Sequence, residues 1–292
     1  MKHKFCNNYG EMFENIMDFT CDYLDKSNIK TLVIGMSGGI DSTLCAALAS
    51  EVCQRKSVNV TVEGRVLPIE SHQAETSRAI MASQAFCDHY KVDQMTPIYN
   101  ILSRDIIPYG SSSDLVRRGN VKARLRMMKL YDLAREMNGV VLSTDNYTEY
   151  LLGFWTLHGD VGDYGMIQNL WKTEVYGLAY YLIEEYKDSD ELYKAASLQE
   201  CVKAMPTDGL GITISDFDQI YPNYDKNSTP VNVYGKIDTV LLNHLNNVPT
   251  HVCCLVHNGV MAGDELGIID RHKATEFKRV NPFSIPRKDI VG

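Results

Sequence analysis

Hydrophobic residues alternate between strand-like and helix-like patterns along the first half of the chain. Residues 11–26 carry apolar side chains at helical spacing, which predicts an amphipathic first helix. The apolar run at 31–35 predicts a strand buried on both faces. The same criteria predict further strands over 58–69, 92–98 and 140–143, and helices over 42–52, 70–90 and 121–138. Such an alternation is typical of a parallel sheet covered by helices on both faces.

The second half of the chain has a different pattern, mainly helical beyond about residue 170. Residues 221–230 contain two prolines with several Asn and Asp and predict a loop. We find no internal repeat, low-complexity tract or flexible linker in the 292 residues. We therefore predict a single domain over residues 1–292. Its fold class is α/β, a doubly wound parallel sheet with a mainly helical C-terminal part.

Charge, hydropathy and cysteine content limit the kinds of binding partner and the cellular compartment that we expect. The formal net charge of −8 gives no general electrostatic attraction to nucleic acid. The N-terminus lacks the apolar stretch of a signal peptide, and no run approaches the ~20 apolar residues of a membrane span. The eight cysteines form no CxxC pair and no zinc-like cluster with histidine, which favours a reducing compartment. We expect a cytoplasmic protein with no nucleic-acid and no membrane partner.

A glycine- and serine-rich turn joins the predicted strand at 31–35 to the helix that follows it. The turn reads Ser37-Gly38-Gly39-Ile-Asp41-Ser42. Glycines let backbone N–H groups approach phosphate oxygens, and the helix N-terminus adds partial positive charge. Asp41 would repel a polyphosphate alone but becomes a ligand if Mg²⁺ lies between them. The turn lacks the GxxxxGK[ST] pattern of the Walker loop and instead resembles the PP-loop of the ATP pyrophosphatases.

Two further blocks narrow this resemblance. They run over 119–131 and 144–160 and contain Arg124 in the first block, and Thr144 and Glu149 in the second. In this order and spacing the three segments resemble the ammonia-dependent NAD synthetase family, whose fold is adenine nucleotide alpha hydrolase-like. The resemblance implies adenylation of the nicotinate carboxylate of deamido-NAD by ATP, with release of pyrophosphate. Ammonia would then displace AMP to give NAD. The resemblance also implies a homodimer.

The resemblance assigns roles by matching positions. ATP would be bound by Ser37, Gly38, Gly39, Asp41, Ser42, Thr144, Lys172 and Thr207, with Asp41 and Lys172 as catalytic residues. Mg²⁺ would be held by Asp41 and Glu149, and the acid substrate by Arg124, Asp163, His272 and Lys273. Negative charge gathers on the phosphates in the adenylation transition state, so cationic stabilisation by Mg²⁺ and Lys172 fits the chemistry. Arg124 and Arg126 diverge by about 200° on a helix, so only one can face the ligand, and we favour Arg124.

The sequence departs from the family pattern on the substrate side. Leu157 stands where the family has a lysine, and the segment around Asp163 is one residue shorter. In the family, a mobile loop that acts as a lid over the site separates two motifs. Residues 206–212 join these motifs directly, so much of that lid is missing. Residues 221–230 are a candidate segment to cover the site in its place. These changes leave open a divergent PP-loop ligase that amidates a different carboxylate. Acidic charge and the lack of CxxC argue against a tRNA-modifying enzyme, and the retained ATP-side residues argue against a catalytically silent binding protein.

Overall fold

The computed structural model describes residues 3–55, 60–107, 115–207, 215–248, 262–282 and 284–287. The strands are β1 (Thr31–Gly35), β2 (Thr61–Val66), β3 (His89–Val92) and β4 (Gly139–Val141). The helices of the first half are α1 (Tyr9–Lys26), α2 (Ile40–Arg55), α3 (Gln73–Phe86), α4 (Thr96–Ile106), α5 (Leu115–Glu136) and α6 (Tyr147–Leu152). Those of the second half are α7 (Lys172–Asp188), α8 (Leu192–Lys203), α9 (Phe217–Ile220), α10 (Pro230–Leu245), α11 (Ala262–Ala274) and α12 (Glu276–Arg279).

The four strands form one parallel sheet in the order β3-β2-β1-β4. Side chains of β1 alternate between the two faces. Leu32 and Ile34 lie in the main core, whereas Val33 packs with Leu133 and Ala134 of α5 on the other face. Helices therefore cover both faces, and the predicted doubly wound α/β fold is confirmed.

The strand order determines at which edge of the sheet the phosphate turn lies. From β1 the chain goes to β2 on one side, while β4 pairs with β1 on the other side. The strand order thus reverses at β1. Ligands of open parallel sheets bind at the carboxyl edge beside this switch point. The turn at 37–42 follows β1, and Thr144 follows β4, so both segments lie at this edge.

The predicted strand at 92–98 is wrong in its position. The strand β3 lies at His89–Val92, and Thr96 already begins α4, with Pro97 in the first turn. Proline suits the first turn of a helix because the N–H that it lacks has no helical partner there. The edge strand β3 exposes its first three residues, so it has no buried pattern to detect. The predicted helix at 70–90 accordingly ends at Phe86.

The C-terminal part is helical, as predicted. Every regular element described after Lys172 is a helix, and residues 221–229 form the predicted loop between α9 and α10. The helix α7 lies at the centre of this part and packs against α1, α2, α8 and α10. No helix among the described residues is long and apolar enough to cross a membrane.

Candidate active site

The phosphate turn requires glycine at its second position. Gly38 has a φ of 82°, and a Cβ there would lie 2.4 Å from the carbonyl oxygen of Glu75 and 2.9 Å from the nitrogen of Ala79. A side chain would therefore be strained and would also clash with the backbone of α3. The Nε of Arg78 donates a hydrogen bond to the carbonyl oxygen of Gly38 at 3.1 Å. This bond fastens the turn to α3.

The two serines of the turn are joined by their hydroxyl groups. Ser37 Oγ and Ser42 Oγ lie 3.0 Å apart, and the backbone N–H of Gly39 donates to Ser37 Oγ at 3.2 Å. Ser42 is in the first turn of α2, so the hydroxyls lie at the positive end of that helix. The predicted phosphate-binding residues are thus close together at the carboxyl edge of the sheet.

A buried lysine connects the phosphate turn to α6 and α7. Lys172 Nζ lies 2.5 Å from Asp41 Oδ2 and 2.9 Å from Glu149 Oε1, and only 2% of its side chain is exposed. Burial alone lowers the pKa of Lys172, but the carboxylates of Asp41 and Glu149 outweigh this effect and the pKa lies well above its usual value. The lysine is therefore a fixed cation. Burial raises the pKa of Glu149 to about 7, although the Lys172 ammonium lowers it.

Asn146 also contacts the cluster formed by Lys172, Asp41 and Glu149, although it was not among the predicted site residues. Its side-chain amide donates to Asp41 Oδ1 at 2.9 Å, and its Oδ1 accepts the N–H of Glu149 at 3.0 Å. Glu149 in turn accepts the N–H of Asn146, which completes a capping box at the start of α6. The sequence signal was present, since Asn146 is followed three residues later by glutamate.

A cavity of about 320 Å³ opens beside this cluster. This volume lies at the lower end of the range for small-molecule sites. Its polar side contains Ser37, Gly39, Asp41, Thr144, Glu149, Lys172 and Thr207. Its apolar side contains Met36, Val66, Leu67, Met127 and Leu130. The arrangement suits a nucleotide, with phosphates at the turn and a base against the apolar wall.

A second cavity of about 350 Å³ adjoins the first and shares Asp41, Thr144, Glu149 and Thr207 with it. It extends toward α5 and the C-terminal helices. Its remaining lining includes Asn120, Phe154, Trp155, Tyr234, Arg271 and Lys278. The cavity therefore has two sides. Arg271, Lys278, Phe154 and Trp155 provide cationic groups and aromatic surface that suit an anionic ligand with a ring, whereas five carboxyl groups lie elsewhere in the lining: Asp41, Asp145, Glu149, Asp160 and Asp216.

The four predicted substrate residues lie outside both cavities. Arg124 is exposed and donates to the carbonyl oxygen of Leu157 at 3.2 Å. The arginine of α5 that lines both cavities is Arg126, whose Nε also donates to the carbonyl oxygen of Leu67 at 2.9 Å. The helical spacing did separate the two arginines as expected, but the one that faces the cavities is Arg126.

The other three predicted substrate residues have structural contacts or face solvent. Asp163 Oδ2 accepts the N–H of Val141 at 3.0 Å and so extends the pairing of β4. His272 Nδ1 lies 2.8 Å from the carbonyl oxygen of Leu151. Lys273 is exposed. None of the three lines either cavity, and their contact with the acid substrate stays a prediction.

Two cations from the C-terminal helices contact the segment that precedes Leu157. Arg271 stacks on the ring of Phe154 at 3.8 Å. Lys278 Nζ lies 2.6 Å from the carbonyl oxygen of Gly153 and 2.5 Å from that of Trp155. Both cations line the second cavity. The segment 221–230, the candidate cover, contributes no residue to either cavity, although Gln219 and Ile220 line the second one. The shortened segment 206–212 lies mostly outside the described residues.

The acidic residues of the centre fit a magnesium ion. Asp41 and Glu149 both face the Lys172 ammonium, so their carboxylates lie close to each other at the phosphate turn. Within the described part of the chain, no group of three or more His, Cys, Asp or Glu could hold a metal by itself. Mg²⁺ commonly takes only one or two carboxylates and completes its octahedron with phosphate oxygens and water. The donor set is of that kind.

A parallel sheet with a phosphate turn at its switch point defines an α/β nucleotide-binding protein. The chain belongs to the NAD synthase family, whose sequence model matches residues 12–282. It is 30% identical over 239 residues to the NH(3)-dependent NAD(+) synthetase of Methanocaldococcus jannaschii, covering 80% of this chain and 90% of that protein. It is 31% identical over 172 residues to that of Thermococcus sibiricus, covering 59% of this chain and 65% of the relative. The chain thus spans somewhat less than two thirds of some curated relatives that it matches.

Solved structures show the same fold at low sequence identity. An NMN synthetase from Francisella tularensis superposes with a TM-score of 0.71 at 23% identity, covering 97% of this chain and all of that chain. An NH3-dependent NAD synthetase from Campylobacter jejuni superposes with a TM-score of 0.68 at 23% identity, covering 96% of this chain and all of that chain.

Proposed function

We propose that this protein is an ammonia-dependent NAD synthetase. It uses ATP to adenylate the nicotinate carboxylate of deamido-NAD, and ammonia then displaces AMP to give NAD, AMP and pyrophosphate. The observation that carries the proposal is the buried Lys172, held between Asp41 and Glu149 directly beside the phosphate turn. Membership of the NAD synthase family and the NH(3)-dependent relatives support it.

The ATP-side residues divide the chemistry between them. Ser37, Gly39 and Ser42 would bind phosphate oxygens. Ser37, Gly39, Thr144 and Thr207 line the first cavity, and Ser42 lines the adjoining second one. Asp41 and Glu149 would hold Mg²⁺, which supplies positive charge to the phosphates when bound. Lys172 would stabilise the charge that develops on the departing pyrophosphate. Because Lys172 is fixed by two carboxylates before ATP arrives, little reorganisation is needed in the transition state.

The acid substrate would occupy the second cavity. Deamido-NAD carries negative charge on its pyrophosphate and carboxylate. Arg126, Arg271 and Lys278 provide cationic groups, and Phe154 and Trp155 provide aromatic surface. The carboxylate oxygen would attack the α-phosphate of ATP where the two cavities meet, near Asp41 and Thr144, and pyrophosphate would leave. These C-terminal cations replace the charge lost at Leu157, so that substitution does not by itself favour a different carboxylate.

We further propose a homodimer in a reducing cytoplasm. Ile98, Ile101 and Ile106 of α4 are each about half exposed or more, and Val116 and Met128 of α5 are about half exposed. Contiguous exposed apolar surface is typical of an interface, and we propose that these side chains form one. A second subunit there would also bring residues near Arg124, which faces solvent.

The six cysteines of the described part carry free thiols, which fits a reducing compartment.

A comparison of kcat/KM for different acid substrates tests the proposal. The full chain is incubated with Mg-ATP, ammonium and one acid at a time, and pyrophosphate release is followed. Deamido-NAD should give the highest kcat/KM. Nicotinate mononucleotide, which lacks the adenylate half, and simple aromatic carboxylates are the alternative acids, each tested alone. A higher kcat/KM for another acid would replace deamido-NAD as the substrate and would leave the adenylation chemistry standing.

A further inference from the structure

Asp238 is a fully buried carboxylate that lies outside both cavities. It belongs to α10, and 0% of its surface is exposed. Its Oδ1 accepts the hydroxyl of Thr148 at 2.6 Å. Its Oδ2 accepts the backbone N–H of Thr173 at 2.9 Å and the Thr173 hydroxyl at 2.8 Å. A buried charge costs free energy that an apolar side chain would not, so these three donors require an explanation beyond packing.

The donors belong to the segments that carry the charged groups of the site. Thr148 directly precedes Glu149, and Thr173 directly follows Lys172. Thr148 Oγ1 also accepts the backbone N–H of Lys172 at 2.8 Å. A continuous relay therefore runs from the Lys172 N–H through the Thr148 hydroxyl to Asp238. Through it, one carboxylate fixes the first turn of α7 against the first turn of α6.

We infer that Asp238 is a positioning residue of the adenylation centre. Lys172 Nζ must reach both Asp41 and Glu149, which come from two different elements. A shift of α7 relative to α6 would lengthen at least one of these contacts and move the ammonium away from the phosphates. Displacements of about 1 Å at a reacting centre cost on the order of 100-fold in rate. The carboxylate of Asp238 on α10 fixes the distance between α6 and α7 by bonding to both.

Threonine substitutions separate positioning from packing. Thr148→Val removes the relay hydroxyl at nearly constant shape, whereas Thr148→Ser keeps it. Thr173→Val is the milder variant, because it removes one of two bonds from Thr173 to Asp238 and leaves the relay intact. Thr239→Val is the matched control. Its hydroxyl lies next to Asp238 in sequence but bonds only to the Gly235 carbonyl oxygen of its own helix at 2.5 Å.

The experiment measures two quantities for each full-length variant, well below its melting temperature. One is the dissociation constant of Mg-ATP by calorimetry, and the other is kcat for pyrophosphate release with deamido-NAD and ammonium. For Thr148→Val we expect kcat to fall about 10- to 100-fold and Mg-ATP binding to weaken at least several-fold. Thr148→Ser should stay within about twofold of wild type, as should Thr239→Val, and Thr173→Val should lose about three- to tenfold in kcat.

A melting temperature that falls for Thr148→Val while kcat and the Mg-ATP constant stay at wild-type values would overturn the inference and leave Asp238 a packing residue. If Thr148→Val does not fold, unchanged constants in Thr173→Val would overturn it in the same way. The kcat readout rests on the proposed function, but the binding readout does not. Wild-type protein that binds Mg-ATP without releasing pyrophosphate would refute deamido-NAD as substrate, and the ratio of binding constants would still decide the role of Asp238.

Discussion

Replacing Lys172 with methionine removes one positive charge from between two carboxylates and keeps most of the apolar stem. In the wild type the ammonium lies 2.5 Å from Asp41 and 2.9 Å from Glu149 and is almost fully buried. In Lys172→Met the two carboxylates face each other without their shared cation. The variant therefore tests whether this cluster is a site prepared for positive charge.

The magnitude follows from burial. Breaking a buried ion pair by removing one partner costs about 3–5 kcal/mol of unfolding free energy. The carboxylates of Asp41 and Glu149 are 19% and 21% exposed and can be partly hydrated, which favours the lower end of that range. A loss of about 3 kcal/mol lowers the melting temperature by on the order of 5 °C in a chain of this size. Mg²⁺ at about 100 times its dissociation constant would restore roughly 2.7 kcal/mol.

The assay is thermal unfolding with and without Mg²⁺, together with pyrophosphate release. Lys172→Met should be stabilised by Mg²⁺ more than wild type is, because Mg²⁺ replaces the missing cation. Its kcat should fall about 10²- to 10³-fold, the usual cost of losing one fixed charge stabiliser. Lys194→Met is the matched control. Lys194 Nζ lies 2.6 Å from Glu191 and 3.8 Å from Glu51 with a side chain 13% exposed, but it lies outside both cavities.

Two results would refute the reasoning. No stabilisation of Lys172→Met by Mg²⁺ would mean that the metal does not bind at the two carboxylates. A kcat for Lys172→Met close to that of Lys194→Met would mean that Lys172 does not act on the transition state. Either result would move the catalytic centre away from this cluster.

Three further measurements check separate parts of the structure. Gly38→Ala should lose about 2 kcal/mol or more of stability together with ATP binding, whereas Gly39→Ala, where a Cβ meets nothing closer than 3.4 Å, should keep its melting temperature. Burial raises the pKa of Asp238 from 3.8 to about 6. Because the folded protein then binds more protons between these values, its unfolding free energy should fall by roughly 3 kcal/mol as pH rises through this window, and urea titrations of Asp238→Asn should lack this component. Burial also raises the pKa of the Cys87 thiol to about 12, so iodoacetamide at pH 8 should alkylate the exposed Cys6 before Cys87, as mass spectrometry of digests would show.

The local sequence pattern was enough to predict an element whose residues are all in the same environment, such as a strand buried on both faces. The strand β1 is buried on both faces, so its apolar run at 31–35 was detectable, and the glycine turn after it has a composition with few alternative readings. The edge strand β3 is exposed and short, and no pattern marked it. The start of α4 could have been found from Pro97, because a proline there favours a first helical turn over a strand.

The site was predictable where a motif carried it and hidden where only tertiary structure did. The resemblance supplied Asp41, Glu149 and Lys172, and the structure brings the three together. Asp238 lies in an unremarkable helical segment, and nothing local shows that its partners are Thr148 and Thr173, which lie 90 and 65 residues away in sequence. Helical spacing separated the two arginines of α5, but which one faces the cavities depends on how that helix is rotated against the sheet.

Transfer of isotope from the acid to AMP tests the central claim most directly. Deamido-NAD labelled with ¹⁸O in the nicotinate carboxylate is incubated with the full chain, Mg-ATP and ¹⁵N-ammonium. If the carboxylate oxygen attacks the α-phosphate and ammonia then displaces AMP, one ¹⁸O must appear in AMP and one ¹⁵N in the amide of NAD. We predict both labels in equal amounts with pyrophosphate. Pyrophosphate release with AMP that carries no ¹⁸O would contradict adenylation of this carboxylate.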